Sequence, residues 1–254
     1  MRTRPPSPTV VAVPLVFFLA LVGAWQLADS QFKWQRILFP NPVEVVEALR
    51  SNSTQLAING LITLAEAVLG FLLGGFVGFA IAAIVVLWPP SSRVIVPYAV
   101  VIKAVPIVVL APLLVMWLGD GLLSKVVMAA IAAFFPILVN GVRALTSVDQ
   151  EWCDLMHLHG ATKWQTFRML RVPYALPELF AGLKVATSLA MVGAVVAEFT
   201  GSSRGIGHLI TTSTYYLNTD LVFAGVIVLG ALGLAFYGAL VLLERVVVFW
   251  KRVS

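Results

Sequence analysis

The sequence has few charges for its length, and this scarcity argues against a water-soluble fold. Of 254 residues, 11% are charged and 60% are apolar. A soluble domain carries roughly 25% charged residues, because its surface must stay hydrated. The mean hydropathy of +0.96 points the same way. We therefore expect an integral membrane protein, built from helices that satisfy their own backbone hydrogen bonds.

Cysteine is nearly absent, and no phosphate-binding loop is present. The single Cys153 excludes an internal disulfide framework and a thiolate metal cluster. None of the six lysines follows a glycine, so the Gly-Lys-Ser/Thr end of an ATP-binding loop is missing. His157 and His159, two residues apart on a predicted helix, would point to different faces. We predict no catalytic residue and no metal site.

One short motif suggests an enzyme, but its context is wrong. The segment 201–205 reads Gly-Ser-Ser-Arg-Gly, and His208 follows it. A Gly-x-Ser-x-Gly nucleophile needs a preceding strand, a following helix and an orienting acid. Here the motif falls between two apolar segments, so the hydrolase interpretation is disfavoured.

Six apolar segments are long enough to span a membrane, each needing about 20 residues. The first is either a retained helix, which we favour because no clean cleavage site follows it, or a cleaved signal. The third contains Pro106 and Pro112 and should be kinked. The predicted spans, within a single transmembrane domain covering 1–254, are approximately 10–28, 61–88, 98–118, 122–142, 177–199 and 221–248.

The positions of the basic residues predict the orientation. With the N-terminus in the cytoplasm, ten basic residues lie in inner segments and five in outer ones. Both termini are then cytoplasmic. The net charge of +5 is therefore interpreted as a topology signal, and no nucleic-acid partner is predicted.

Two connections are long enough to form structure. In the outer one, Val43, Val46 and Leu49 are three apart, which predicts a short amphipathic helix with these residues on its apolar face. The inner one, 143–176, contains two capping-box patterns, at 147–150 and 162–165.

The inner connection should form two short helices joined by a turn. The capping boxes predict helices over 148–159 and 163–170, with Gly160 in the turn between them. Their apolar side chains either lie on the membrane surface or dock on a partner protein, and periodicity alone favours neither.

The inner loop resembles a known motif. From Asp154 the chain reads Asp-Leu-Met, three residues, Gly160, nine residues, Leu-Arg-Val-Pro173. The spacing is similar to the EAA loop of bacterial ABC importer permeases, which is Glu-Ala-Ala, three residues, Gly, nine residues, Ile-x-Leu-Pro. Asp154-Leu155-Met156 departs from Glu-Ala-Ala, and Leu170 and Val172 replace Ile and Leu.

The resemblance extends over about 39–252, to the nitrate, sulfonate, taurine and bicarbonate branch of these permeases, which also includes carriers of pyrimidine precursors. The segments that carry it are Phe-Pro-Asn-Pro at 39–42, Lys-Ala-Val-Pro at 103–106, Ala-Pro-Leu at 111–113, Trp-Leu-Gly at 117–119, Phe-Phe-Pro-Ile at 134–137, Val-Ala-Glu at 196–198 and Gly-Ile-Gly-His-Leu-Ile at 205–210.

The resemblance implies an all-α, MetI-like permease in the bacterial inner membrane that imports a small polar or anionic solute. Its partners would be a second permease copy, two cytoplasmic ATPase subunits that bind ATP and magnesium, a periplasmic or lipoprotein solute-binding protein, and lipid. The coupling residues would be Asp154, Leu155, Met156, His159, Gly160, Ala161, Trp164, Phe167 and Pro173. The alternative is a non-conducting membrane scaffold or regulatory subunit.

An ionisable side chain inside a membrane is costly to bury and is therefore a candidate functional residue. Polar and flexible side chains within the spans are further candidates, because they could contact a solute in the translocation pathway. We expect this pathway beside the fifth span, between two copies of the chain. Glu66 and Glu198 lie near the outer ends of their spans, where either could face headgroups and Glu198 could equally line the outer mouth of the pathway. Gly70, Gly74 and Gly78 would pack helices within one subunit rather than form the dimer seam. The pathway candidates are Lys103, Thr187, Ser188, Met191 and Glu198.

Overall fold

The computed structural model describes residues 13, 16–17, 20–27 and 39–250, without the side chains of residues 96, 100, 102 and 103. The described part is helical and contains no strand, which confirms the all-α prediction. The helices are α1 (Pro42–Ser51), α2 (Ser53–Leu87), α3 (Ser92–Ala104), α4 (Ile107–Leu118), α5 (Leu122–Thr146), α6 (Gln150–Leu158), α7 (Lys163–Gly201), α8 (Ile206–Tyr215) and α9 (Thr219–Val247).

The short helix α1 forms where the sequence predicted it, but it buries a different face. The Asn41 side chain accepts a hydrogen bond from the Val43 N–H at 2.8 Å, and this cap starts the helix. Val45 and Ala48 are buried, whereas Val43 and Val46 are 66% and 47% exposed. The predicted apolar face was therefore wrong, because a helix of 10 residues has too few turns to distinguish the two patterns.

Three helices form the core of the bundle: α5 lies between α2 and α7. Glycines allow this close approach. A Cβ on Gly78 would lie 3.0 Å from the Phe134 carbonyl oxygen, and one on Gly193 would lie 2.8 Å from the Cα of Ala129. Gly70 and Gly74 also face α5. The prediction that this glycine stripe packs within one subunit is confirmed.

The contacts between α2 and α5 also show the relative direction of these two helices. Gly78 of α2 meets Phe134 of α5, and further along both helices Ala82 meets Gly141, so α2 and α5 run parallel. Since α5 begins at the same end of the bundle as α2, the chain between them must return across it. The returning segment is α3 and α4.

The predicted third span is therefore two helices rather than one kinked helix. The break comes after Ala104, and Pro106, with φ −58° and ψ 122°, precedes α4. A proline disfavours helical backbone in the residue before it, which explains the break. Four described helices, α2, α5, α7 and α9, have the length and hydropathy of a membrane span. Of the predicted first span, 10–28, the structure describes only residues 13, 16–17 and 20–27, so the count of six stays a prediction.

The inner connection differs from its prediction in how its first helix begins and in how far its second helix extends. Helix α6 begins at Gln150 without a side-chain cap, so the predicted capping box at Ser147 was wrong. The second capping box is confirmed, since Thr162 Oγ1 accepts from the Gln165 N–H at 3.2 Å. Beyond it, α7 continues for 39 residues.

No loop separates the predicted coupling helix from the fifth span. A π-helical turn, Phe167–Arg171, precedes Pro173 within α7. A proline cannot donate to the carbonyl four residues before it, and its ring crowds that carbonyl. A widened turn at this point accommodates the ring and lets the helix continue.

Candidate functional site

The turn between α6 and α7 is fixed by backbone hydrogen bonds. Gly160 has φ +79°. Its N–H donates to the His157 carbonyl at 2.9 Å, and the Ala161 N–H donates to the Met156 carbonyl at 3.0 Å. This pair of bonds is the Schellman motif, which requires left-handed backbone and therefore favours glycine. The turn predicted at Gly160 is confirmed.

An apolar surface lies on both sides of this turn, and we call it the coupling surface. It consists of Trp152, Leu155, Leu158 and Trp164. Leu158 is 84% exposed and Trp164 is 58% exposed. Large exposed apolar side chains beside a rigid turn are typical of a protein-binding site.

Most residues predicted for coupling lie at or near this surface. Sequence reasoning missed Leu158, although it follows Leu155 by three residues and the helical spacing could have found it. The predicted residues that are exposed are Asp154, Leu155, His159, Gly160 and Trp164, and those that are partly buried are Met156, Ala161 and Pro173.

Phe167 does not belong to the exposed part of this surface. It is 5% exposed and packs in a core cluster that includes Leu138 and Leu179. Its ring stacks on Trp164 with centroids 5.5 Å apart. Phe167 lies on the side of the helix that faces the spans. It therefore anchors the exposed Trp164 ring to the packed core.

The pathway candidates on α7 fall on two sides of the helix. Ser188 is exposed, as are Val185 and Val192, one turn before and after it. Thr187 and Met191 are buried, and the Thr187 hydroxyl donates to the Lys184 carbonyl at 2.7 Å. The side chain of Lys103, in α3, lies outside the described residues.

The exposed face of α7 borders an apolar groove. The groove has a volume of about 280 Å³ and lies between α4, α5 and α7. Leu189 and Val192 form its α7 wall, and Phe135 lies in the α5 wall.

Glu198 lies at the centre of a buried polar cluster. Its carboxylate is 1% exposed, and it accepts from the Thr63 hydroxyl at 2.6 Å and from the Gly207 N–H at 2.5 Å. The Thr63 hydroxyl oxygen accepts from the Ile206 N–H at 2.9 Å. Asn59 Oδ1 accepts from the Gly205 N–H at 2.8 Å. These bonds attach the first turn of α8 to α2 and α7.

Two further ionisable residues extend this cluster: Glu66, which was considered in the sequence, and Lys125, which was missed there. Glu66 is 3% exposed beside Glu198, so the expectation that it faces headgroups was wrong. Lys125 is 2% exposed, interacts electrostatically with both carboxyls and donates to the Asp120 carbonyl. Their positions depend on how α2 and α5 pack, which no local pattern reveals.

The segment with the enzyme-like motif forms a turn between α7 and α8. Gly201 ends α7, and Ser202 Oγ accepts from the Arg204 N–H at 3.3 Å. A helix and not a strand precedes Ser203, so the context of a nucleophile elbow is missing.

The chain matches the model of a family described as "Binding-protein-dependent transport system inner membrane component" over residues 70–248. The chain belongs to this family. A probable ABC transporter permease protein of Haemophilus influenzae is 33% identical over 88% of this chain and 91% of its own length. The formylaminopyrimidine transport permease protein ThiX of Halalkalibacterium halodurans is 31% identical, covering 94% and 96%.

A solved structure shows the same fold. The MetNI methionine ABC transporter in inward-facing conformations contains a chain that matches with a TM-score of 0.66 at 18% identity. The match covers 74% of this permease and 93% of that chain. The MetI-like fold predicted from the EAA-like loop is confirmed.

The family membership decides between the two functions considered. The relatives are permease subunits of ABC transporters for small solutes, and they are not themselves enzymes. The comparisons give no support to a non-conducting scaffold. This chain is therefore a transmembrane permease subunit of an ABC importer.

Proposed function

We propose that two copies of this permease form the translocation pathway for a small polar or anionic solute across the bacterial inner membrane. Both termini and the coupling surface face the cytoplasm, where two ATPase subunits bind ATP and magnesium. A solute-binding protein delivers the solute on the opposite side. The positive-inside distribution of basic residues and the family membership support this arrangement.

The observation that carries the coupling role is the continuity of α7. This helix starts at the coupling surface and reaches the turn that Glu198 attaches to α8. At 1.5 Å per residue, its 39 residues span about 58 Å. A movement imposed on Trp164 by an ATPase would be passed along one helix to the opposite side of the bundle.

The exposed face of the same helix supports the proposed pathway. Ser188 lies on this face beside the apolar groove, where a second copy would enclose it. Thr187 and Met191 lie behind this face, and Glu198 lies in the buried cluster. Ser188 is therefore the candidate that the geometry favours for direct solute contact. We also propose that the pathway involves four residues that do not lie on this exposed face or whose side chain is not described: Thr187, Met191, Glu198 and Lys103.

The proposed solute class follows from the relatives. Their names include transport permeases for formylaminopyrimidine, riboflavin, aliphatic sulfonates, taurine and nitrate. These solutes are small, and several are anionic. The groove beside Ser188 is lined by apolar side chains, which provide little charge selectivity. We assign most of the selectivity to the binding protein.

The coupling surface can be tested with one exposed residue. Leu158→Ser removes a side chain that is 84% exposed, so folding should be preserved. Truncating an apolar residue at the centre of an interface costs about 1–2 kcal/mol, so the affinity for the ATPase should fall about tenfold. The measurement is co-purification of the ATPase subunit with the tagged permease at equal expression.

Val43→Ser is the matched control, because Val43 is 66% exposed on α1, at the end of the bundle away from the coupling surface. Its ATPase affinity should equal that of the unmodified permease. If Leu158→Ser also keeps full ATPase affinity and full transport, the coupling role assigned to this surface is wrong.

A further inference from the structure

A second cavity lies beside the coupling surface, between the end of α2 and the start of α7. It has a volume of about 180 Å³, enough for several water molecules or a phosphate group with its glycerol. Val86, Leu87 and Pro89 form one wall. The opposite wall carries His157, Lys163 and Arg171, with Thr166 and Phe167 between them.

The cavity is basic, since the described residues that line it include three basic side chains and no acidic one. Among the described residues, Lys163 and Arg171 form no ion pair. One Arg171 N–H donates to the Leu145 carbonyl at 3.0 Å, which positions the guanidinium and leaves its other donors available. His157 Nδ1 lies 2.7 Å from the Cys153 carbonyl oxygen, so Nε2 remains for a ligand. Three basic groups from two helices thus converge on one space.

The apolar wall indicates what kind of anion would fit. Val86 and Leu87 belong to the last turn of a spanning helix, and Trp88, which follows them, is 64% exposed. Exposed tryptophans at span ends are typical of the membrane interface. The cavity therefore combines basic groups with apolar side chains at the depth of lipid headgroups, whereas a site for free phosphate would need no apolar wall.

We propose that this cavity binds the phosphate of an anionic phospholipid headgroup in the cytoplasmic leaflet. Lys163 and Arg171 contact the phosphate, and the start of the acyl chains lies on Val86 and Leu87. Since Phe167 lines the cavity and stacks on Trp164, the lipid supports the coupling surface from the membrane side. Lipid binding itself does not depend on ATPase docking.

The test is a titration of the full-length permease in detergent with phosphatidylglycerol, followed by native mass spectrometry. Lys163→Gln removes one basic group from an exposed position, so the fold should be preserved. Each basic residue near a lipid surface contributes about 1 kcal/mol, so phosphatidylglycerol affinity should fall about fivefold. Lys163→Arg keeps the charge and should keep the affinity.

Arg168→Gln is the matched control, since Arg168 is an exposed cation on the same helical segment that does not line the cavity. It should leave phosphatidylglycerol affinity unchanged. Equal losses in Lys163→Gln and Arg168→Gln would show diffuse attraction and overturn the proposal. Equal affinity of the unmodified permease for phosphatidylcholine would also overturn it.

Two further measurements separate the lipid from other sources of an anionic group. Inorganic phosphate at millimolar concentration should not displace phosphatidylglycerol; displacement that depends on Lys163 would assign the cavity to a free anion. The lipid should also remain bound in the complex with the ATPase. Its loss on assembly would assign the cavity to an acidic side chain of the ATPase instead.

Discussion

At the scale of single residues, the best-defined feature is the buried carboxylate of Glu198. It accepts from the N–H of Gly207, in the first turn of α8, where unpaired backbone donors favour a negative charge. It also accepts from Thr63, so one side chain links three helices. Glu198 therefore acts as a positioning residue for the segment that follows α7, whether or not it also contacts solute.

Replacing this carboxylate separates the two roles. Glu198→Gln leaves one acceptor oxygen where two donors were bound, and one lost buried hydrogen bond costs about 1–3 kcal/mol. We expect the melting temperature of the purified permease to fall by about 2–10 °C. Protease cleavage within 202–205 should become faster, because α8 is less firmly attached.

Glu151→Gln is the control for this prediction, since Glu151 is exposed on α6 and should leave the melting temperature unchanged. If Glu198→Gln abolishes uptake without changing the melting temperature or the cleavage rate, the positioning role is wrong. The residue would then act mainly in the pathway.

At the scale of elements, α1 and α7 show where periodicity succeeds and where it fails. Both Val43–Val46–Leu49 and Val45–Ala48 fit helical spacing, so the sequence predicted the helix but chose the wrong face. In α7, the sequence predicted an inner connection that ends at residue 176 and a separate span that begins at Pro177. The π-helical turn before Pro173 removes that boundary, and no periodicity rule predicts it.

Two adjacent valines test the buried face of α1. Val45 is 2% exposed and Val46 is 47% exposed, so Val45→Ser places a hydroxyl in the packed interface and Val46→Ser does not. We expect Val45→Ser to lower stability by about 1–3 kcal/mol, a fall of about 2–10 °C in the melting temperature. Val46→Ser should change it little.

The measurement is thermal unfolding of both variants in the same detergent. A larger fall for Val46→Ser would support the face predicted from the sequence and contradict the packing described above.

At the scale of the whole molecule, the bundle is closed on one side of α7 and open on the other. Helix α5 covers one face of α7 closely, as the contact of Gly193 with Ala129 shows. The face with Val185, Ser188 and Val192 has no covering helix among the described residues. An uncovered face carrying a serine in a membrane protein fits a water-accessible pathway between two copies.

Thiol labelling tests this face. The natural Cys153 is 1% exposed, so the background reaction should be low. In membranes that contain the assembled transporter, Ser188→Cys should react with a small charged methanethiosulfonate. Leu242→Cys, at a position on α9 that is 62% exposed, should not react if it faces lipid. Because a charged reagent reaches only thiols in water, equal reactivity at both positions would contradict the proposed pathway.

The sequence by itself determined the membrane class, the helical fold, the close approach of another helix at the glycines of α2, and the turn at Gly160. These features depend on composition, on spacing within one helix, or on a backbone conformation that glycine favours. Only the tertiary structure decided the burial of Phe167 and Glu66, the buried face of α1 and the partners of Glu198. Thr63 and Glu198 are 135 residues apart, and only the packing of helices brings such groups within hydrogen-bonding distance.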